Sequence, residues 1–264
     1  VESRKNRASR RRRAVWARVD VQYFLLPFFL LPLPFPFPLS RALTWYAEAM
    51  RLWKRGPVTH AVLAALTILS QVALELWPDA GALVSKLVVP LVACGMLYAA
   101  HAAATGGAPR FVHAIEAFRA SAGAIGAILV SSALTFAAEW IAADRLAGVD
   151  LLRPGATSPE LDASTVLAVY AVGILASLPM SLVPLYALFD GLGFAASFAA
   201  SFRAFARHFA AFVGYGAIAF ALIALGLLTM GLGLVIALPL IACATYAAWR
   251  DIGAVTPSGA GESP

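Results

Sequence analysis

Apolar runs of about 20 residues recur along the chain, separated by short breaks of polar or turn-forming residues. A helix rises 1.5 Å per residue, so each run is long enough to cross a hydrocarbon core roughly 30 Å thick. The runs are Val58–Trp77, Leu83–Thr105, Ala122–Ala142, Ser164–Leu188, Phe209–Leu228 and Leu232–Trp249. The breaks carry turn chemistry at Pro78-Asp79, Gly106-Gly107-Ala108-Pro109, Asp190-Gly191 and Gly231. The longest is the polar stretch Ala143–Ala163, with Pro154-Gly155 and Pro159 inside it. This pattern predicts an all-α fold, a polytopic membrane helical bundle of about six transmembrane helices. Composition agrees: 61% of residues are hydrophobic and 13% charged, with a mean hydropathy of +0.80. Soluble domains carry about 25% charge, so a soluble enzyme or binding module is excluded.

A second pattern precedes the first, third and fifth spans. Glu48–Arg55 (EAMRLWKR), His113–Arg119 (HAIEAFR) and Ser201–His208 (SFRAFARH) are short and amphipathic, and each sets an aromatic residue (Trp53, Phe118, Phe205) just before a basic one. Spans two, four and six share a further echo in VPLVAC at Val89–Cys94, VPLYAL at Val183–Leu188 and LPLIAC at Leu238–Cys243. The predicted unit is an interfacial amphipathic helix followed by a hairpin of two spans, repeated three times. Chance similarity between Ala/Leu/Val-rich segments is the competing account. Aromatics settle at headgroup depth while Arg and Lys snorkel to phosphates, which makes Arg51, Lys54, Arg55, Arg119, Arg203 and Arg207 candidate contacts for lipid headgroups. In an amphipathic helix expected over Phe194–Arg207, Phe194, Phe198, Phe202 and Phe205 fall on one face, with Arg203 and Arg207 on a neighbouring strip.

Charge sets the expected orientation. The N-terminus, the loops after spans two and four, and the C-terminus together hold seventeen basic residues, against three (Lys86, Arg145, Arg153) on the other side. By the positive-inside rule both termini of this multi-pass chain are expected to be cytoplasmic. Eight of the basic residues lie within residues 1–20; without the aromatic and glycine motifs of RNA modules, they point to topogenesis or anionic lipid, and no nucleic-acid partner is expected. Val21–Pro38 imitates a membrane span, but its five prolines cannot form a lipid-embedded helix. Residues 1–40 are therefore expected to be a disordered or loosely associated extension, 41–252 the membrane domain, and 253–264 a disordered tail.

The LDAST segment at Leu161–Thr165, VPLYALFDG at Val183–Gly191, SFRAFARHFAAFVGYG at Ser201–Gly216 and YAAWRDI at Tyr246–Ile252 resemble the uncharacterised proteobacterial inner-membrane proteins of the BPSS type. Residues 42–119 fit more loosely, through Gly56-Pro57 and the GGAPRF link, and the chain is more distantly similar to the membrane domain fused to some glycerophosphodiester phosphodiesterases. The resemblance implies a location, the bacterial inner membrane, and a span count. It implies no chemistry.

Candidate chemistry is sparse. Glu75 and Lys86 lie at similar depth in the first hairpin and are candidates for an ion pair, with two solvated interface residues as the alternative. Glu139 beside Trp140 reads as an interface anchor, and His60 and His101 near one end of spans one and two are a weak metal pair. Cys94 and Cys243, inside apolar runs, read as small packing thiols. Metalloprotease, P-loop and nucleophile-elbow signatures are missing from the sequence, so no catalysis, cofactor or metal is expected. Small residues (Gly123, Gly126, Ala127, Gly214, Gly226, Gly233) are expected where helices approach closely. The leading functional expectation is a membrane-organising factor or assembly subunit; the alternative is a small transporter or channel-like carrier, with a polar path past Gln71, Ser131, Ser132 or Ser181. Reporter fusions within Ala143–Ala163 should read out as periplasmic and fusions after Asp251 as cytoplasmic; a cytoplasmic signal from Ala143–Ala163 would overturn the charge argument.

Overall fold

A computed structural model describes residues 39–77, 81–149 and 163–254. The expected extension up to residue 38, the centre of the Ala143–Ala163 loop and the tail beyond residue 254 lie outside the described residues. Nine α-helices and two 3-10 segments make up the described chain, with no strand among the described residues. They are α1 (Leu39–Lys54), α2 (Pro57–Glu75), α3 (Gly81–Ala104), a 3-10 helix at Phe111–Arg119, α4 (Ala122–Ala147), α5 (Ala163–Ser177), a 3-10 turn at Leu178–Met180, α6 (Val183–Leu188), α7 (Phe194–Arg207), α8 (Phe209–Leu228) and α9 (Leu234–Ala254). Counting α5 to α6 as one span, six segments are long and apolar enough to cross a membrane. The chain is an all-α bundle with the sequence of a multi-pass integral membrane protein.

The order is an amphipathic element followed by two spans, three times: α1 before α2 and α3, the Phe111–Arg119 helix before α4 and α5–α6, and α7 before α8 and α9. Among the described residues, four connections between helices turn where the sequence supplies backbone freedom. Gly106, Gly148, Gly191 and Gly231 all take positive φ, where a side chain is strained. Gly148 closes α4 in the left-handed conformation, its N–H donating to Asp144 O. This carries span three to Ala147, five residues past the expected Ala142.

The prolines of the three echoed segments do not act alike. α3 runs through Pro90 and α9 through Pro239, whereas the fourth span breaks between Ser177 and Val183 around Pro179 and Pro184. Backbone groups freed by proline must find partners inside the protein. Here Ser201 of α7 supplies them: its Oγ donates to Pro179 O at 2.7 Å and accepts from Leu182 N at 3.3 Å.

Helix contacts rest on small residues, as expected in lipid, where burial of apolar area gives little drive. A Cβ at Gly214 would meet Leu39 Cδ1 at 2.8 Å, and one at Gly233 would meet Gly226 Cα at 2.8 Å. Gly123 and Gly126 are looser, their nearest atoms at 3.9 and 3.7 Å, so these two expected close approaches are absent. Gly95 was not expected, yet a Cβ there would meet Ala114 Cα at 2.8 Å and His113 O at 2.9 Å. Both are backbone-level contacts that cannot swing aside. Gly95→Ala should therefore cost about 1–3 kcal/mol of stability through overpacking, while Gly123→Ala should be close to neutral; thermal unfolding in lipid nanodiscs distinguishes them.

Candidate functional site at the basic end of the bundle

The first amphipathic element lies deeper in the protein than the other two. α1 buries Ala42, Trp45, Tyr46, Ala49 and Leu52, a stripe with helical spacing whose aromatic members meet α8. Trp45 sits edge-on to Phe212 at 5.5 Å and to Tyr215 at 6.5 Å, and Tyr46 stacks on Tyr215 at 5.7 Å. The Tyr46 hydroxyl donates to Tyr215 O at 3.2 Å. Burial, with the neighbouring Tyr215 phenol, pushes the Tyr46 phenol far above its ordinary pKa, so it stays a neutral donor.

A polar cluster fixes the start of α1. Arg41 Nε donates to Asp251 Oδ2 at 2.6 Å, and Trp45 Nε1 donates to the same oxygen at 2.8 Å. Arg41 Nη1 also donates to His208 Nδ1 at 2.9 Å. An arginine cannot accept, so that nitrogen must be bare and the imidazole neutral. His208 lies between α7 and α8, and its pKa is lowered by burial first and by the Arg41 charge next, with Arg207 adding to the effect and Asp251 opposing it. Four side chains thus join the start of α1, the end of α9 and the α7–α8 junction. The far end of α1 is tied as well: Arg55 donates to Ala103 O, one of the C-terminal carbonyls of α3 left without an intrahelical partner.

The six candidate headgroup residues divide on this geometry. Arg55 is committed to Ala103 O, so it acts as a helix-end ligand. Arg51 is exposed and 3.4 Å from Glu48. Lys54, Arg119, Arg203 and Arg207 are exposed, with no carboxylate partner among the described residues; Arg203 Nε donates to Ala199 O of its own helix at 3.1 Å. Lys86 and Glu75 meet at 3.8 Å at the opposite end of the bundle, where Lys86 Nζ also sits 4.6 Å above the Phe136 ring. Glu139 lies close by, its carboxylate against the bare backbone of Gly173.

α7 is seated by its small and hydroxylated face. Its buried residues are Ser197, Ser201 and Ala204, not the phenylalanine stripe. Phe194 and Phe202 remain 42% and 48% exposed, while Phe198 and Phe205 straddle the edge. The Phe111–Arg119 helix behaves in the same way, with His113, Ala114 and Ala117 inward and Phe111, Val112, Ile115 and Phe118 outward. An apolar face toward lipid carries no penalty, so the small and hydroxylated face is free to take the protein side.

Several pairings carried no sequence signal. His60 is fully buried; its Nδ1–H donates to Gly56 O at 2.9 Å, which leaves Nε2 to accept from the Cys243 thiol at 3.6 Å. His101 does not join it. That ring stacks on Phe189 at 4.6 Å and bonds the Tyr246 hydroxyl at 3.1 Å. Phe189 also packs on Trp249, whose Nε1 donates to Asp190 Oδ2 at 3.0 Å. Among the described residues no three His, Cys, Asp or Glu side chains are grouped to hold a metal ion. A hollow of about 590 Å³ opens at this end between α1, α9 and Asp190.

Comparison with known proteins finds no matching family model, no matching curated protein and no matching solved structure.

The His208 geometry gives a signed prediction. Its folded pKa is below the ordinary value of about 6.5, so the unfolded chain takes up the proton first. Stability should therefore fall as pH drops through about 6.5, and the loss should level off below the folded pKa. His208→Asn keeps an acceptor for Arg41 but does not titrate. Thermal unfolding of the two proteins between pH 8 and 5 should diverge only on the acid side; parallel curves would contradict the assignment.

Proposed function

We propose that this protein is a non-catalytic organiser of an inner-membrane surface, holding anionic lipid at its cytoplasmic end and serving as a membrane-embedded subunit or scaffold. The observation that carries this reading is the build of α7. Its serine and alanine face is seated on the broken fourth span, its phenylalanines flank the seat, and Arg203 and Arg207 stand exposed one turn apart. This is the arrangement of a helix lying in a headgroup layer, with rings toward acyl chains and guanidinium groups toward phosphates. The Phe111–Arg119 helix offers a second case, with Phe118 and Arg119 both exposed. The cytoplasmic placement rests on the positive-inside asymmetry of the sequence.

A transporter or channel-like carrier is the second reading, favoured by the discontinuous fourth span, a feature that recurs in transporters. Against it stand the polar side chains that would line a path. Ser131 Oγ donates to Ile128 O at 2.8 Å, Ser181 Oγ to Leu178 O at 2.9 Å, and Gln71 to Glu75 on its own helix. Each is turned back onto its own helix, where it serves the fold.

Each Arg near an anionic surface is worth roughly 1 kcal/mol, so Arg203→Ala with Arg207→Ala should weaken anionic-lipid retention by about 2 kcal/mol. Insertion and span packing should be unaffected. Native mass spectrometry of the protein released from nanodiscs containing phosphatidylglycerol reads this directly. Unchanged retention would reduce α7 to a packing element.

A further inference from the structure

The third hairpin carries no charge at its turn. The first places Glu75 and Lys86 at the end of the bundle away from His208, and the second places Glu139, Asp144 and Arg145 there. Between His208 and Arg250 the sequence has no Asp, Glu, Lys, Arg or His at all. Around the turn from α8 into α9 stand Leu225, Leu228, Met230 and Leu232, exposed by 61, 80, 96 and 77%. Met230, the most exposed, has φ at 54°, the one positive value outside glycine among the described residues.

The polar groups of this turn close on one another. Thr229, its one polar side chain, donates from Oγ1 to Gly226 O at 2.7 Å and accepts from Gly233 N at 2.8 Å. Gly231 N–H donates to Gly226 O at 3.1 Å, Leu232 N–H to Thr229 O at 3.2 Å and Leu234 N–H to Gly231 O at 3.0 Å. Irregular backbone is kept out of hydrocarbon when its polar groups need water; these find their partners within the hairpin. The hairpin is also short. His101 of α3 and the Tyr246 hydroxyl of α9 share a hydrogen bond and mark one level of the bundle. From there α3 extends roughly 30 Å along its axis to Gly81, whereas α9 extends roughly 18 Å to Leu234.

We propose that the α8–α9 turn is immersed in the bilayer, with Leu225, Leu228, Met230 and Leu232 covered by acyl chains of the leaflet opposite the basic end. In water these side chains would oppose the hydrophobic effect, and a turn without charged or aromatic residues has nothing to hold it among headgroups. Acyl chains remove both conflicts. A second copy of the chain would bring the same uncharged tip and no complementary group. The first two hairpins meet the aqueous boundary through their charges, while the third ends among the chains as a wedge in one leaflet. This surface is separate from Arg203 and Arg207 of α7 and does not depend on the reading given to them.

The test is thiol labelling of the full chain in nanodiscs, whose two faces are both open to solvent, with a sulfonated maleimide that stays in water. Cys94 and Cys243 are buried, so the wild type sets the background. Met230→Cys reports on the tip, and Leu232→Cys repeats the measurement outside the positive-φ position. Arg145→Cys, at a side chain 82% exposed beside Asp144, is the aqueous reference. Apolar surroundings raise a thiol pKa, and each unit removes about nine-tenths of the reactive thiolate. Labelling at Met230→Cys and Leu232→Cys should therefore be at least about tenfold slower than at Arg145→Cys, and should recover when the protein is denatured in SDS. The measurement is made with one chain per disc and again with two. Protection with a single chain supports cover by lipid. Protection that appears only when two chains share a disc assigns the tip to a second copy and overturns the proposal. Labelling as fast as at Arg145→Cys in both places the turn in water and overturns it as well.

Discussion

One carboxylate oxygen closes this bundle. Asp251 Oδ2 receives Arg41 Nε at 2.6 Å and Trp45 Nε1 at 2.8 Å, joining the first described helix to the last across more than 200 residues of chain. Hydrogen bonds to a charged acceptor are roughly twice as strong as neutral ones, and two donors on one oxygen fix both rotation and depth of α1. With α1 held, Trp45 and Tyr46 fill the space against Phe212 and Tyr215, and Arg55 reaches the end of α3. The amphipathic helix thereby becomes part of the core. His208 completes the corner by accepting from Arg41 Nη1.

Around that corner the fold follows the physics of a chain that cannot rely on apolar burial. Helices meet where glycine or alanine lets backbones approach, as at Gly214 and Gly233, and polar side chains inside the bundle satisfy carbonyls of their own helices. The interruption of the fourth span between Ser177 and Val183 is repaired by Ser201 from α7. The amphipathic helix α7 therefore supports a broken span, and its rings and exposed arginines are placed by what its serines need.

The sequence made the spans legible because span length and hydropathy are local properties, readable within 20 residues. Phe209–Leu228 was predicted to the residue, and the order of amphipathic element and hairpin was visible three times over. The phenylalanine stripe of α7 marked its amphipathic character, but nothing local showed that Ser197, Ser201 and Ala204 would form the seat. A hydrophobic stripe marks the protein-facing side only when the other side is water. The Arg41–Asp251–Trp45 cluster and the His60–Cys243 contact were out of reach for a different reason. Their partners are separated by 183 to 210 residues, and nothing local distinguishes Asp251 from an ordinary helix-end aspartate. Arg55 shows the same limit on a shorter scale, since nothing local marks its bond to Ala103 O, which the packing of α1 beside α3 brings about.

The central claim is that α1 is locked into the bundle through Asp251. A double-mutant cycle on Arg41→Met and Asp251→Ala, read by thermal unfolding in nanodiscs, tests it most directly. The account predicts that the double variant loses less stability than the two single variants together, with a coupling of at least about 0.5 kcal/mol. Strictly additive losses would mean that the two side chains do not act together, and would contradict the lock.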